Sequence, residues 1–306
     1  MNTKSAFIAV LGRANVGKSS LMNRLIGEKI SIVSDKPQTT RTKINGVLNS
    51  GNTQIVFVDT PGFHKPKNLL GESMIKAIGD GMSDVEAAVL VVEAVTKFKL
   101  DDGEIPAAEK ELIEKFKKRN IKAVLVINKT DLLSDKSELF SIIEKYMSYF
   151  PFSEVIPLSA KTGDGINILK DVCLSFAKDS VHYFSDDDVT DQSEKVIVAE
   201  FIREKLLLLL DKEIPHGVAV DLERFYERDN KDGEAILEVE AVIYTEKDSH
   251  KGIIIGKGGA MLKKIGTLAR KDIEKFYGTK ASVKIWVKTK EDWRNRQSLI
   301  HTFGLD

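Results

Sequence analysis

Cysteine is nearly absent from this sequence, since Cys173 is the one cysteine among 306 residues. A lone cysteine cannot close a disulfide within the chain, which excludes a disulfide scaffold and indicates a reducing compartment. The residues around it have helical spacing. We therefore interpret Cys173 as part of a buried helix face rather than as a nucleophile.

Long apolar runs are also absent. A stretch such as Leu206 to Leu210 falls far short of the about 20 residues that a helix needs to cross a bilayer. Residues 1–5 have neither the apolar core of a signal peptide nor the composition of a transit peptide. We expect a cytoplasmic protein, and peripheral membrane contact stays open.

Neither sign of charge dominates, because 46 Lys and Arg balance 46 Asp and Glu. The charges are nevertheless unevenly placed, since residues 247–296 hold 14 Lys and Arg against 5 Asp and Glu. This excess is typical of a polyanion-binding segment, although a solvated charged surface is the alternative. Residues 180–194 are Asp-rich and lack apolar periodicity, which predicts a linker.

A glycine-rich loop lies between an apolar run, 7–11, and a stretch with helical spacing, 21–26. A strand, a glycine loop and a helix in this order favour a phosphate-binding P-loop over a simple tight turn. The glycines let the backbone curl around an anion, the loop amides and the helix start point positive dipoles at it, and Lys18 adds a charge. Ser19 supplies a hydroxyl for magnesium. The loop reads Gly12, Arg13, Ala14, Asn15, Val16, Gly17, Lys18, Ser19 and Ser20.

A second motif, Asp59-Thr60-Pro61-Gly62, follows the apolar run 54–58. A carboxylate at the end of a strand is well placed to hold magnesium through water, and the amide of Gly62 can approach a terminal phosphate. This tetrapeptide is a common turn in isolation, but a preceding P-loop favours the nucleotide interpretation.

Two further motifs indicate which base is bound. In Asn128-Lys129-Thr130-Asp131, the carboxylate of Asp131 can accept both the ring N–H and the exocyclic amine of guanine, whereas adenine offers no matching pair, so GTP is preferred over ATP. Alone, this motif would also fit a helix-capping turn. In Ser159-Ala160-Lys161, the amide of Ala160 can reach the guanine oxygen.

The pattern of elements predicts two domains. Alternating strands and helices over residues 1–179 indicate an α/β P-loop GTPase domain with a mainly parallel sheet, helices on both faces and the motifs at the carboxyl ends of the strands. After the acidic linker, 180–194, residues 195–306 have the order helix, strand, strand, helix, helix, strand, which predicts a smaller α+β domain.

The second domain contains a Gly-x-x-Gly loop, 256–259, in a basic setting before a helix. Glycines at both ends let the backbone approach nucleic-acid phosphates, which is the physical content of a KH loop, although such loops are often plain turns. We expect RNA contacts from Ile253, Ile254, Ile255, Gly256, Lys257, Gly258, Gly259, Lys263, Lys264 and Arg270, with the isoleucines as an apolar floor for bases. We interpret Trp286 and Trp293 as packing residues, and base stacking is the alternative.

Together these motifs, with Thr39-Thr40, resemble the Era family of bacterial GTPases, which carry a C-terminal type II KH domain, over nearly the whole chain. The resemblance implies that GTP or GDP binds with Mg²⁺, that Thr40 joins Ser19 and Asp59 as a metal ligand, and that Lys18, Thr40, Gly62 and Asn15 act in hydrolysis. It also implies binding of small-subunit ribosomal RNA and the small ribosomal subunit. We expect a monomer that does not bind DNA. The residues alone do not select Thr40 over Thr39 or Thr42.

Two positions bear on hydrolysis. Phe63 occupies the place where Ras-like switches have a water-orienting Gln, which indicates slow intrinsic hydrolysis. Asn15 matches a P-loop Asn that ligates K⁺ in related GTPases, although it can instead hydrogen-bond its own loop. Two other functions remain open: an RNA-binding module with an inactive nucleotide site, and a GTPase acting in tRNA modification or at a membrane surface.

Overall fold

The apolar runs of the first half form the strands of one sheet. The computed structural model describes residues 2–36, 38–63, 66, 68–94, 104–229 and 233–305. The chain divides into two units, Met1–Lys65 with Met74–Asp191 and Pro66–Ser73 with Gln192–Asp306. The strands of the first unit are β1 (Lys4–Leu11), β2 (Ile44–Ser50), β3 (Thr53–Asp59), β4 (Ala87–Glu93), β5 (Ala123–Asn128), β6 (Glu154–Pro157) and β7 (Lys178–Asp179).

The sheet has the order β2-β3-β1-β4-β5-β6. Its pairs are parallel except that β2 pairs antiparallel with β3 and β7 antiparallel with β1. The chain therefore continues to one side of β1 for β2 and β3 and to the other side for β4 to β6. A change of direction of this kind opens a crevice at the carboxyl ends of the strands, and the P-loop lies directly after β1.

Alternation along β1 supplies a core on each face of the sheet. Ile8 and Val10 face one cluster, and Ala9 and Leu11 face the other. The helices that contribute residues to these two clusters are α1 (Lys18–Ile26), α2 (Leu69–Asp80), α3 (Ala107–Arg119), α4 (Glu138–Tyr149) and α5 (Ile166–Ser175). Residues of α1 and α5 belong to the first cluster and residues of α2, α3 and α4 to the second, which confirms the predicted α/β class.

Cys173 is fully buried on α5, as its helical context predicts, and burial raises the pKa of its thiol to about 12. The Asp-rich segment after β7 is tied to the sheet by hydrogen bonds. The amide of Val47 donates to Val189 O at 2.9 Å, and the amides of Tyr183 and Phe184 donate to Gln54 Oε1 at 2.8 and 3.0 Å. The first compact unit accordingly extends to Asp191.

The second unit has the predicted order of elements. It contains α6 (Glu194–Leu209), β8 (Val218–Asp229), β9 (Ala235–Thr245), α7 (Asp248–Ile255), α8 (Ala260–Tyr277), β10 (Lys280–Thr289) and α9 (Gln297–Thr302). The sheet order is β10-β9-β8, with β9 and β10 parallel and β8 and β9 antiparallel. Among the described residues, no helix is both long and apolar enough to span a membrane.

Candidate nucleotide and nucleic-acid sites

The P-loop curls between β1 and α1, and both of its glycines are sterically required. A Cβ on Gly12 would lie 2.4 Å from the carbonyl oxygen of Val91, which is fixed backbone. Gly17 has φ 95° at the start of α1, and a Cβ there would lie 2.4 Å from the side-chain amide of Asn128. The loop can therefore pack this closely only with glycine at both positions.

Lys18 is buried beneath the loop, with 6% of its surface exposed. Its Nζ donates to the carbonyl oxygens of Gly12 at 3.1 Å and Arg13 at 2.9 Å. Burial lowers the pKa of Lys18 to about 8; Asp59 partly opposes this shift and Arg13 adds to it. The ammonium group is thus held where phosphate oxygens could replace backbone carbonyls as its partners.

Three hydroxyl groups converge on the buried carboxylate of Asp59. Its Oδ2 accepts from Ser19 Oγ at 3.0 Å, Ser31 Oγ at 3.1 Å and Thr40 Oγ1 at 3.5 Å, and Ser19 and Thr40 lie 2.9 Å apart. Burial raises the pKa of Asp59, and its Oδ1 has no hydrogen-bond partner among the described residues.

These oxygen donors fit the preference of Mg²⁺, and an unpartnered buried carboxylate oxygen has the chemistry that a cation or its bound water would satisfy. Thr39 is instead engaged locally, because its hydroxyl donates to Lys36 O at 2.7 Å. The structure thus brings Thr40, rather than Thr39, to Ser19. No cluster of three or more His, Cys, Asp or Glu side chains suited to a metal occurs in the described part of the chain.

The Asp-x-x-Gly segment lies against the P-loop. A Cβ on Gly62 would be 2.7 Å from Ala14 Cα and 2.8 Å from Ala14 N. The hydroxyl of Thr60 donates to Val10 O at 3.0 Å, and the amide of Phe63 donates to Gly12 O at 3.2 Å. The Phe63 ring packs against the core and lies 4.7 Å from Lys115 Nζ, so this side chain offers no polar group to a water molecule.

The base-recognition motifs meet at the ends of β5 and β6. Asn128 Nδ2 donates to Val16 O at 2.8 Å, which ties this motif to the P-loop, and Asn128 Oδ1 accepts from Ala160 N at 3.0 Å. Ser159 Oγ donates to Asp131 Oδ1 at 2.7 Å. Lys129 Nζ donates to Asn15 O at 2.7 Å and pairs with Glu93. The amide of Ala160 is thus already engaged by Asn128.

Asn15 has φ 69°, and its Nδ2 donates to Asp35 O at 2.5 Å. The side chain therefore bonds the following polar segment rather than its own loop. A role in binding K⁺ stays a prediction.

Several residues that support the site carry no recognisable motif. Asn23 Oδ1 accepts hydrogen bonds from the amides of Ile30 and Ser31 at 3.1 and 3.0 Å. Asn23 follows Ser19 by four residues on α1, so helical spacing could have placed it on the same face of the helix as Ser19. Arg13 pairs with the buried Glu109 at 2.5 Å, and Tyr146 donates to the same carboxylate. Burial raises the pKa of Glu109. No sequence pattern predicts the contact among Arg13, Glu109 and Tyr146, because these residues come from three distant parts of the chain.

The Gly-x-x-Gly loop of the second unit joins α7 to α8. Gly256, Gly258 and Gly259 all have positive φ, at 73°, 59° and 79°. A Cβ on Gly256 would lie 2.8 Å from Met261 Cβ, whereas Gly258 and Gly259 face open space. Lys257 and Gly258 are exposed. The backbone of this loop is therefore open to a ligand.

The prediction that the three isoleucines at 253–255 form an apolar surface for bases is wrong for one of them. Ile253 is 51% exposed and Ile255 is half-buried, but Ile254 is fully buried and belongs to the core. Trp293 is buried as predicted, with Nε1 donating to Gly217 O at 3.0 Å. The packing interpretation of Trp286 was wrong, because this side chain is 44% exposed on β10.

Basic residues of the second unit fall into two groups. On the sheet, Arg224 and Lys284 pair with Glu240 at 3.5 and 3.6 Å, and Lys288 pairs with Glu223 at 2.9 Å. On α8, Arg270 pairs with Glu274 at 3.7 Å. Four exposed lysines of α8 have no carboxylate partner among the described residues: Lys263, Lys264, Lys271 and Lys275.

Comparison with known proteins places this architecture in a wider group. Residues 7–129 match the family described as 50S ribosome-binding GTPase, and residues 213–294 match the KH domain family. The GTPase Era of Clostridioides difficile is 47% identical over 98% of both chains, and that of Ruminiclostridium cellulolyticum is 45% identical over 99% of this chain and 98% of its own.

Two solved structures resemble the whole chain. Era in complex with MgGDPNP and nucleotides 1506–1542 of 16S ribosomal RNA has a TM-score of 0.91 at 31% identity, with 99% of each chain covered. A variant of Aquifex aeolicus Era bound to GDP and AlF4⁻ has the same TM-score, identity and coverage. Both likenesses extend over the two units.

Proposed function

Since this chain belongs to the Era family of GTPases, we propose that it hydrolyses GTP and binds small-subunit ribosomal RNA in the assembly of the small ribosomal subunit. One observation carries the proposal. A guanine-reading pair of loops around Asp131 and an open, positive-φ Gly-x-x-Gly loop around Gly258 occur in one chain. The first selects the nucleotide, and the second suits the backbone of single-stranded RNA.

For the nucleotide, we assign phosphate contacts to residues 12–20, with Gly62 toward the terminal phosphate. Base contacts come from Asn128, Lys129, Asp131 and residues 159–161. Ser19, Thr40 and Asp59 would hold Mg²⁺, which supplies positive charge to the phosphate oxygens when bound. Their convergence within hydrogen-bonding distance supports this assignment. Lys18, Thr40, Gly62 and Asn15 are the residues we assign to hydrolysis.

For the RNA, we assign contacts to the exposed loop 256–259, to Ile253 and Ile255, and to Lys263, Lys264 and Arg270. We propose residues 1–179 as the GTPase domain, 180–194 as a connecting segment and 195–306 as the RNA-binding domain, in a cytoplasmic monomer. The exposed lysines of α8 that lack an acidic partner within the described ranges support RNA binding on this unit, since such cations are available to phosphates.

The RNA assignment is tested by binding of labelled RNA from the 3′ end of small-subunit ribosomal RNA. Gly258→Asp places a negative charge on the open loop, and its matched control is Gly233→Asp, because Gly233 also has positive φ and no atom of the described residues lies within 4 Å of its Cβ position. We expect at least a tenfold loss of affinity in the first variant and little change in the second. Equal binding of both variants, or preference for tRNA or anionic vesicles, contradicts the proposal.

The nucleotide assignment is tested by GTP hydrolysis. Lys18→Ala should abolish GTP binding and hydrolysis while the RNA-binding unit stays folded. We also propose that K⁺ acts beside the phosphates through Asn15, in place of a charged finger. Hydrolysis is then faster in potassium than in sodium buffer, and equal rates in the two buffers refute the potassium role alone.

A further inference from the structure

Helix α1 connects the phosphate loop to the base-recognition loop through its last turn. It begins at Lys18 and ends at Ile26, and Arg24 lies near its carboxyl end. Arg24 Nε donates to Ala160 O at 3.1 Å, and its Nη2 donates to Lys161 O at 2.9 Å. One planar guanidinium therefore holds two successive carbonyl groups, which a lysine could not do with the same geometry.

Holding a carbonyl also orients an amide. The C=O of Ala160 and the N–H of Lys161 belong to one trans peptide and point in opposite directions. Because Arg24 holds the C=O, the N–H of Lys161 points away from Arg24. The neighbouring amides are engaged, since Ala160 N donates to Asn128 Oδ1 at 3.0 Å and Thr162 N donates to Ser159 Oγ at 3.1 Å. The N–H of Lys161 has no partner among the described residues, which leaves it available to a ligand.

We propose that Arg24 is a positioning residue for base selection, which fixes the 160–161 peptide so that its N–H donates to the guanine oxygen O6. The proposal rests on the proposed function, because it requires that guanine binds beside Asp131. Two parts of the base are then recognised separately. Asp131 accepts from the ring N–H and the exocyclic amine, and the Arg24-held peptide requires an acceptor at position 6, where adenine carries an amine.

The separate contributions of Asp131 and the 160–161 peptide can be measured with nucleotide analogues that each alter one group on the base. IDP lacks the exocyclic amine but keeps O6, and 6-thio-GDP keeps the ring N–H and amine but replaces O6 with sulfur, a weaker acceptor. Affinities of GDP, IDP and 6-thio-GDP are measured by competition against a fluorescent GDP. The variants are Arg24→Ala, Arg24→Lys and Arg119→Ala. Arg119 is the matched control, because it also donates from the surface to a backbone carbonyl, that of Gly79 at 3.3 Å.

We expect Arg24→Ala to weaken GDP and IDP by the same factor, about five- to tenfold, as expected for one lost hydrogen bond. The affinity for 6-thio-GDP should change little, so the GDP to 6-thio-GDP ratio falls while the GDP to IDP ratio stays constant. Arg24→Lys should fall between Arg24→Ala and the native protein, and Arg119→Ala should match the native protein.

If Arg24→Ala loses the same affinity for all three nucleotides, Arg24 only supports the phosphate loop. If it loses no affinity, residues 160–161 do not need Arg24 to hold them in place. Either result overturns the proposal. Failure of the proposed function would look different, because the native protein itself would then bind GDP no better than ADP. Thermal unfolding of each variant identifies any general loss of folding.

Discussion

At the scale of single residues, the buried ammonium of Lys18 makes nucleotide binding depend on pH. Its pKa of about 8 in the nucleotide-free protein arises mainly from burial, and nearby phosphate charge favours the protonated form. Binding should therefore take up a proton near pH 8. GDP affinity is then full well below pH 8 and falls as the pH rises through 8, by about fivefold between pH 8 and 9.

Calorimetric titration of GDP from pH 6.5 to 9 checks this expectation. Lys18→Arg is the informative control, because a guanidinium stays charged throughout the range. This variant should bind more weakly but with a flatter pH profile. Equal pH profiles in the two proteins would show that a group other than Lys18 titrates.

Gly62 is the second residue with a measurable consequence. A Cβ here would meet the backbone of Ala14 at less than 3 Å, so Gly62→Ala must push the Asp-x-x-Gly segment away from the P-loop. Because the amide of Gly62 is expected at the terminal phosphate, affinity for a non-hydrolysable GTP analogue should fall about tenfold or more, and GDP should be affected less.

The control for that prediction is Gly79→Ala on α2, where no atom that the structure describes lies within 4 Å of the added Cβ. Helix propensity favours alanine there by about 0.5–1 kcal/mol, so this variant should be slightly more stable and bind nucleotides normally. Equal loss of GTP analogue and GDP in Gly62→Ala would contradict the assigned contact.

At the scale of elements, α1 organises the site along one face. Lys18 and Ser19 lie at its start, and Asn23 holds the next segment through the amides of Ile30 and Ser31 and through Ser31 O at 2.7 Å. Ser31 in turn bonds Asp59. In Asn23→Ala, the amides of residues 30 and 31 should exchange hydrogen at least about tenfold faster, since each lost bond contributes about 1 kcal/mol.

Asn23→Asp separates this effect from a general change in α1, because aspartate keeps the accepting oxygen and loses only the donated bond. Its exchange rates at residues 30 and 31 should stay closer to those of the native protein. Unchanged protection at these amides in Asn23→Ala would show that the segment is held by other contacts.

The same elements show what the sequence could and could not predict. The strands β1, β3 and β5 were predictable because each contains a continuous apolar run followed by a motif, and strand ends in a parallel sheet converge. Strand β4 is a continuous apolar run with no motif after it. Helix α4 has no clear helical signal in the sequence, because its apolar residues occur on both faces: Phe140 is 76% exposed and Met147 is 41% exposed, while Tyr146 is buried. Periodicity is lost when surface positions are apolar.

Contacts between distant elements were beyond the sequence for a different reason. The convergence of Thr40 on Ser19 depends on the path of an irregular segment, which has no repeating pattern. We expect GTP binding to order two segments, residues 37–42 and 62–81. Four residues of these segments lie outside the described residues: Pro37, His64, Lys65 and Lys67. Arg24 hydrogen-bonds the backbone carbonyl of Ala160. Every residue type has such a carbonyl, so the sequence cannot show which residue is the partner.

At the scale of the whole molecule, the balanced net charge conceals a division between paired and unpaired cations. The sheet lysines of the second unit are neutralised by glutamates. In contrast, Lys264, Lys271 and Lys275 have no acidic partner in the part of the chain that the structure describes and, at spacings of seven and four, share one face of α8. Unpaired cations are the ones that can release counterions from RNA. RNA binding should therefore depend on this helix face more than on the sheet.

The salt dependence of RNA affinity decides between the two groups. Replacing Lys264, Lys271 and Lys275 by Gln should lower the slope of log affinity against log salt by about 0.7 per phosphate contact with a single strand, hence by roughly 2 in total. Replacing Arg224, Lys284 and Lys288 by Gln removes as many charges from the paired group and should leave the slope nearly unchanged. Equal changes in both triple variants would mean that RNA responds to overall charge, and the α8 face would then have no special part in binding.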